Sequence, residues 1–569
     1  THTTIHIPLP TPLSPPTHRP SERMALEMIP TEVLERIAFA ASAHPLPGPP
    51  TALARLQRTS RTLHTRLCPA HNAYLHARVF AAKFDPPRAL LRDDAAAGAG
   101  RHVVLARELE RRFVLLGRLR RSAAARERND GGDAGEEEEE EEEEKGWVRE
   151  ALVQCYLMML ENEGKNEVQL DGYGGMGAWV RRYLFDPDHG LFSASSPLSV
   201  MATQWPVQTV YTACAMWLFW FLLRPDELPE DDALSWNILN TLKIFALAAH
   251  KYPIAHVSWA HFHPPQDEPH TAATATYYSD VHRLRIPPVG APTILSFLSI
   301  VNLKTKFVDF SAPPYASTAE TAAGPAGPRW ASELARCLSI SRPQLDTQLQ
   351  AAFRPGRCVG VPQTRMSTTP ADDRLRSIDG TWEGIFTYTE FATYAAMLQG
   401  APPPLLQKCV IVRHRQTWML REYHFVGNEG DDKYSDAPLS AGDPRSAYVP
   451  ISMRMQTDDG LEFVERAREK PIRYRRASKD TAARGVQDII IAGEGHSAWG
   501  QFGLVGRVRP CDGFVALCKD YMDQDRGKWV YSGFLVGNAI SHFAGRWRDT
   551  ISDPDEPGYE GCFLMARRQ

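Results

Sequence analysis

Lys528-Trp529-Val530-Tyr531-Ser532-Gly533-Phe534-Leu535-Val536 is the stretch on which the reading of the fold turns. Aromatic and β-branched residues alternate along it, and one glycine interrupts them, which is the composition of a half-buried strand. The same pattern recurs in Trp382–Tyr388, Lys408–His414, Gln487–Gly493 and Gly513–Lys519. From Ile378 to the end the chain reads as about ten short strands, with glycines every 8–12 residues, the spacing of an antiparallel sandwich or barrel.

Ahead of residue 378 the character is helical. Val104, Leu105, Leu109, Phe113 and Leu116 fall on one helical face, and Ala151–Glu161 and Ala233–His250 are strong helix patterns. Val207–Leu223 is 17 residues without a charge, short of the ~20 a spanning helix needs, and reads as a buried core helix. Trp330–Phe353 is a further short helical piece. The resulting division is a disordered tail over 1–22, a helical motif over 23–85, and a helix with an acidic low-complexity linker over 86–150. A helical domain over 151–310, a loop-rich connector over 311–377 and the β-region over 378–569 follow.

Composition bounds the function. The 569 residues exceed one core, and 44 Pro with 39 Gly demand much loop and linker. The net charge of −4 contains the nine-glutamate run Glu136–Glu144, so the rest carries +5. That is no nucleic-acid footprint, and Asn129–Lys145 is expected to be a solvated, mobile tether. The nine cysteines are scattered without a C-x-x-C, which argues against zinc modules and disulfide frameworks and for a reducing compartment. Thr1–Pro20 lacks the charged and apolar regions of a signal peptide. The expected location is cytoplasm or nucleus, off the membrane.

Within Met28–Asp85, Pro30 stands just inside the start of a helix carrying Ile29, Val33, Leu34 and Ile37. After a proline-rich break, Thr51 is placed to cap a second helix with Leu53 and Leu56. Thr59-Ser60-Arg61 then leads to Leu63 and Leu67. This arrangement resembles the F-box, with Tyr74–Phe84 similar to the segment that follows the motif in fungal F-box proteins. The loop between the first two helices is longer and richer in proline than the family pattern, and His64 stands where an aromatic is common. The resemblance implies docking on the Skp-type adaptor of an SCF (cullin–RING) ubiquitin ligase. Ile29, Pro30, Val33, Leu34, Ile37, Leu53 and Leu56 would then supply the docking face or its support.

Asp379–Gly384 resembles the Gly-x-Trp start of a lipocalin-like barrel, and Gly545-x-Trp547 and Gly561-Cys562-Phe563 repeat the pairing of glycine with an aromatic. Such a barrel is filled by its own Trp382, Trp499, Trp529, Tyr531 and Trp547, or else holds a small apolar ligand.

Catalytic motifs are thin. Gly172–Gly177 fits G-x-G-x-x-G without a preceding strand and reads as a flexible turn. Gly495-His496-Ser497-Ala498-Trp499 resembles a nucleophile elbow with Trp499 in place of the last glycine. His250, His256, His261, His263 and His270 read as loop histidines and, failing that, as a metal cluster in an unrecognised enzyme. The fold class expected is multidomain α+β: F-box helices, a mostly helical middle and a C-terminal antiparallel lipocalin-like β-barrel. The expected function is a non-catalytic substrate receptor that needs no cofactor or metal. It presents an unidentified protein substrate by proximity through the Skp-type adaptor and cullin scaffold; a lipocalin-like ligand-binding protein with a helical scaffold is the alternative.

Overall fold

The computed structural model describes residues 26–43, 47–86, 98–127, 138–162, 164–193, 205–224, 228, 233–263, 273–284, 286–303, 378–409, 412–427, 432–450, 453–457, 460–478, 481, 485–523, 526–536 and 542–568. The expected tail over 1–22, the connector over 311–377 and the helix at Trp330–Phe353 lie outside these residues. The chain divides into two compact units, Thr1–Ala82 with Asp93–Leu109, and Lys83–Arg92 with Glu110–Gln569. The helical middle and the β-region therefore belong to one unit.

The first unit is built from α1 (Thr31–Ser42), α2 (Thr51–Thr59), α3 (Arg61–Leu67) and most of α4 (Ala73–Lys83). Leu34, Ala38, Leu53, Leu63, Leu67, Leu75, Val79 and Phe80 form its interior. Ser60 caps α3 by accepting the Leu63 N–H at 3.2 Å, and Asn72 caps α4 by accepting that of Leu75 at 3.1 Å. Pro30 is the N-cap of α1 rather than its first helical residue, and Pro50, not Thr51, occupies the cap of α2 without a side-chain bond.

The second unit combines helices with one large sheet. Helix α5 (Gly98–Glu127), which belongs to the first unit up to Leu109 and to the second from Glu110, carries the periodic face read from the sequence, with Leu105, Leu109, Leu116 and Leu119 buried. Helix α6 (Glu138–Leu160) takes in seven of the nine glutamates of the acidic run, so the expected solvated tether is helical from Glu138 onward. Glutamate is a good helix former and is favoured at a helix N-terminus, and Glu144 pairs with Arg118 at 2.9 Å. Helix α7 (Val210–Phe221) is buried from Thr212 to Phe221, as its composition predicts, and among the described residues no helix is long and apolar enough to cross a membrane. Helices α8 (Ala233–Leu247) and α9 (Gly290–Leu303) follow. Between them β1 (Ala273–Tyr277) and β2 (Asp280–Leu284) form a hairpin in a region read as helical.

The C-terminal strands are β3 (Gly380–Tyr388), β4 (Val412–Phe425), β5 (Met453–Thr457), β6 (Gly460–Val464), β7 (Ile472–Arg476), β8 (Asp488–Ser497), β9 (Gly500–Val508), β10 (Val515–Tyr521), β11 (Lys528–Val536), β12 (His542–Asp549) and β13 (Glu560–Arg567). β3, β4 and β8 to β13 pair antiparallel in sequence order, and β13 returns to β3, closing an eight-stranded barrel. The chain is α+β with a C-terminal barrel. Trp382 faces Trp418, Phe386 faces Phe563, and Tyr531 faces Trp547 across neighbouring strands. The paired glycines Gly533 and Gly545 meet on β11 and β12, and a Cβ on either would lie about 2 Å from a carbonyl oxygen of the other strand. Only glycine permits that approach.

β5 to β7 form an annex beside the barrel. β3 stops pairing at Leu420, and β7 takes up the vacated edge of β4 at Tyr423 and His424. A second apolar cluster of Tyr423, Phe425, Leu461, Phe463, Ile472 and Tyr474 fills the space beneath.

Arginines on the outside of the barrel fasten the helices to it. Arg546 donates to the carbonyls of Ala246 (2.6 Å) and Phe245 (3.1 Å), orphan acceptors at the end of α8, and to that of Tyr252 (2.9 Å) in the segment after it. Arg413 reaches Val301 near the end of α9 at 3.1 Å. Arg509 binds the carbonyls of Ser258, His261 and Val257.

Candidate functional site

The seven residues singled out in the first unit separate by position on the helices. Leu34 and Leu53 point into the core, at 0% and 2% exposure. Val33 and Ile37, one turn apart on α1, lie outside at 45% and 40%. Pro30 is exposed, and Ile29 and Leu56 are half-buried. The 3₁₀ turn Leu26–Met28 adds two exposed apolar side chains that the sequence reading left out of the set.

Arg66 of α3 fixes the start of this face. Its guanidinium donates to the carbonyls of Glu27 (3.0 Å) and Ile29 (2.7 Å) and to Thr31 Oγ1 (2.9 Å). Asn72 ties α1 to the start of α4 through Glu35 Oε1 at 2.8 Å. The outer row of α1 is thus presented on a backed, anchored helix.

The second candidate site is the barrel interior. Its deep half is packed by Trp382, Trp418, Phe543 and Phe563 in mutual ring contact. The other half is different. Lys519 alternates with Val515, Leu517 and Tyr521 along β10 and so points inward, with 1% of its surface exposed. Its Nζ lies 3.1 Å from Gln416 Oε1 and is enclosed by the rings of Phe502, Tyr521, Phe386 and Tyr531, at 4.0, 4.8, 5.0 and 5.3 Å. No carboxylate pairs with it among the described residues, and burial pushes its pKa well below the usual lysine range. Tyr521 shares a hydrogen bond with Ser497 at 3.2 Å, and burial raises its pKa. His414 stacks on Phe386 and Tyr388 and leans on Trp499.

The turns after β3, β8, β10 and β12 share the end of the barrel nearer to Lys519. They carry exposed Phe391 (69%), Met522 (70%) and Ile551 (91%), with half-buried Trp499 at the β8–β9 tip. Lys519 was legible in principle, since strict alternation from Leu517 and Tyr521 puts it inside.

The remaining motifs take structural places. Gly172–Gly177 straddles the π-helical turn Val168–Tyr173 and the helix Met176–Phe185, so it is an ordered helical junction rather than a flexible turn. Ser497 sits at a β-hairpin and not on a strand–turn–helix. His256 bonds the Ile286 carbonyl, His250 packs edge-on against Trp205, and His263 packs edge-on against Phe262. His270 lies outside the described residues. Among the described residues, the one group of three potential metal ligands in mutual reach is Asp186, Asp188 and His189 at the surface. Asp186 Oδ1 already accepts the backbone N–H groups of the other two.

A second buried polar cluster joins Arg112, Glu161, Tyr277 and Tyr278. Arg112 donates to Glu161 (3.1 Å) and both tyrosine hydroxyls, and both hydroxyls donate to Glu161 Oε2 at 2.6 and 3.0 Å. Each member is satisfied by the others, so the cluster reads as an internal fastening.

Comparison with models of known protein families, with curated proteins and with solved structures finds no match.

Proposed function

We propose that the chain is the substrate-recognition subunit of an SCF ubiquitin ligase, with the first unit docking on the Skp-type adaptor and the second unit holding the substrate. Support comes from the exposed row Val33 and Ile37 on a helix whose adjoining face, Leu34 and Ala38, is locked into a small core. An exposed apolar row on so small a unit is a surface to be covered. Catalysis by such a receptor is tethering, which raises the local concentration of substrate lysines at a charged conjugating enzyme.

The test is co-purification of the full chain with a Skp-type adaptor and cullin. The native chain is expected to carry the adaptor. Val33→Asp with Ile37→Asp, both at exposed positions, is expected to lose it while keeping the native melting temperature. Failure of the native chain to bind would overturn the reading.

A second reading rests on a separate observation. The upper barrel, with Lys519 and Gln416 inside and Phe391, Met522 and Ile551 around the mouth, has the make-up of a lipocalin-like site for a small apolar ligand.

A further inference from the structure

We propose that Lys519 is a carbonyl-capturing amine, and that the barrel takes up an apolar aldehyde and holds it as an imine on Lys519 Nζ. The inference rests on the ligand-binding reading of the barrel and is independent of the adaptor reading.

The state of the amine decides the chemistry. An ammonium inside a protein needs a counter-ion, and the only hydrogen-bond partner of Nζ among the described residues is the neutral amide oxygen of Gln416. The four surrounding rings favour the cation by about 2 kcal/mol or somewhat more. Stripping water from an unpaired ion costs several kcal/mol, so the free amine wins. A free amine held in an apolar setting is the form in which lysine acts as a nucleophile towards carbonyls. Any other lysine at the surface is almost wholly protonated at neutral pH.

The surroundings select the rest of the molecule. Phe386, Phe502, Tyr521 and Tyr531 leave the amine facing aromatic walls. The mouth repeats the preference, because Phe391, Met522 and Ile551 come from three separate turns and are all apolar and exposed. Tyr388, Trp499 and Trp529, half-buried, continue the aromatic packing from the core cluster towards this end.

The step balances without a further reactant. The Nζ lone pair adds to the carbonyl carbon, one N–H proton passes to the oxygen, and loss of water from the carbinolamine leaves the C=N bond. Hydrolysis reverses it, so the site captures and releases.

The experiment treats the full chain with decanal and sodium cyanoborohydride at pH 7 and maps the modified peptides by mass spectrometry. Reductive alkylation is expected at Lys519 roughly tenfold or more faster than at exposed Lys528 of the same hairpin, because surface amines are protonated. Glyoxylate, a polar aldehyde, is expected to lose that preference. Lys519→Met should remove the fast adduct and leave Lys528 labelling unchanged. The inference is overturned if Lys519 reacts no faster than Lys528 in the native chain, a result that needs no variant to fold. Equal preference with glyoxylate would also overturn it. Neither outcome bears on adaptor binding, which the co-purification reads separately.

Discussion

At the residue scale, neighbours in sequence have opposite duties. Leu34 is sealed in the first unit's core and Val33 is in the open. Leu34→Ala is expected to destabilise that unit by about 2–5 kcal/mol through lost burial and a cavity, measured by denaturant unfolding. Val33→Ala should change stability little and be read only in adaptor binding. The sequence pattern put both on one apolar stripe, because hydrophobic spacing marks which residues prefer to leave water and not which of them have a partner within the chain. The separation needs the packing of α2 to α4 against α1.

At the element scale, the barrel was legible and its attachments were not. Lys528–Val536 is a strand over the very residues that the alternation marks, while the strand expected from Lys408 begins at Val412, after two short helices, Phe391–Leu398 and Pro404–Lys408. The β1–β2 hairpin escaped because its strand Ala273–Tyr277 is built of small residues, and because Tyr278 and Ser279 adopt positive φ without the glycine or asparagine that usually announces such a turn. The annex of β5 to β7 escaped for another reason, since only tertiary structure shows that β4 outruns β3. Outward arginines were equally invisible, yet they hold carbonyls at the ends of helices. Arg546→Met is expected to cost about 3 kcal/mol or more of stability, because three buried carbonyls lose a charged donor. The thermal unfolding midpoint against that of the native chain measures it.

At the scale of the whole molecule, buried histidines tie stability to pH. Burial holds both His250 and His542 at a pKa of about 4, with the charges of Lys251 and Arg546 adding to the effect at His250. Both pKa values are depressed below the unfolded value of about 6.5, so the unfolded chain binds the extra protons first. Their contribution is complete above pH 6.5 and is lost as pH falls towards 4. His542, the fully buried one, is expected to remove up to about 2 kcal/mol between pH 7 and pH 5, and the half-buried His250, partly screened by solvent, less. Burial pushes Glu161 and Glu167 up to about 7, and they act in the opposite sense over the same range. The histidine contribution is therefore read as a difference. The stability change between pH 7 and pH 5, read from unfolding, should differ in His542→Phe from that of the native chain by up to about 2 kcal/mol, in the direction of a smaller loss on acidification. A slope unchanged in that variant would show that His542 does not contribute.

The barrel's closure also sets a schedule. β4 covers one edge of β3 soon after β3 is made, but the other edge, from Trp382 to Tyr388, waits for β13. At about 5–20 residues per second of synthesis, that edge stays unpaired for roughly ten to thirty seconds. Throughout that interval the nascent chain offers an open strand bearing Trp382, Ile385 and Phe386, the kind of template that recruits other chains. A ribosome stalled before Glu560 would leave it open for good, so the most dangerous moment of synthesis comes before β13 emerges.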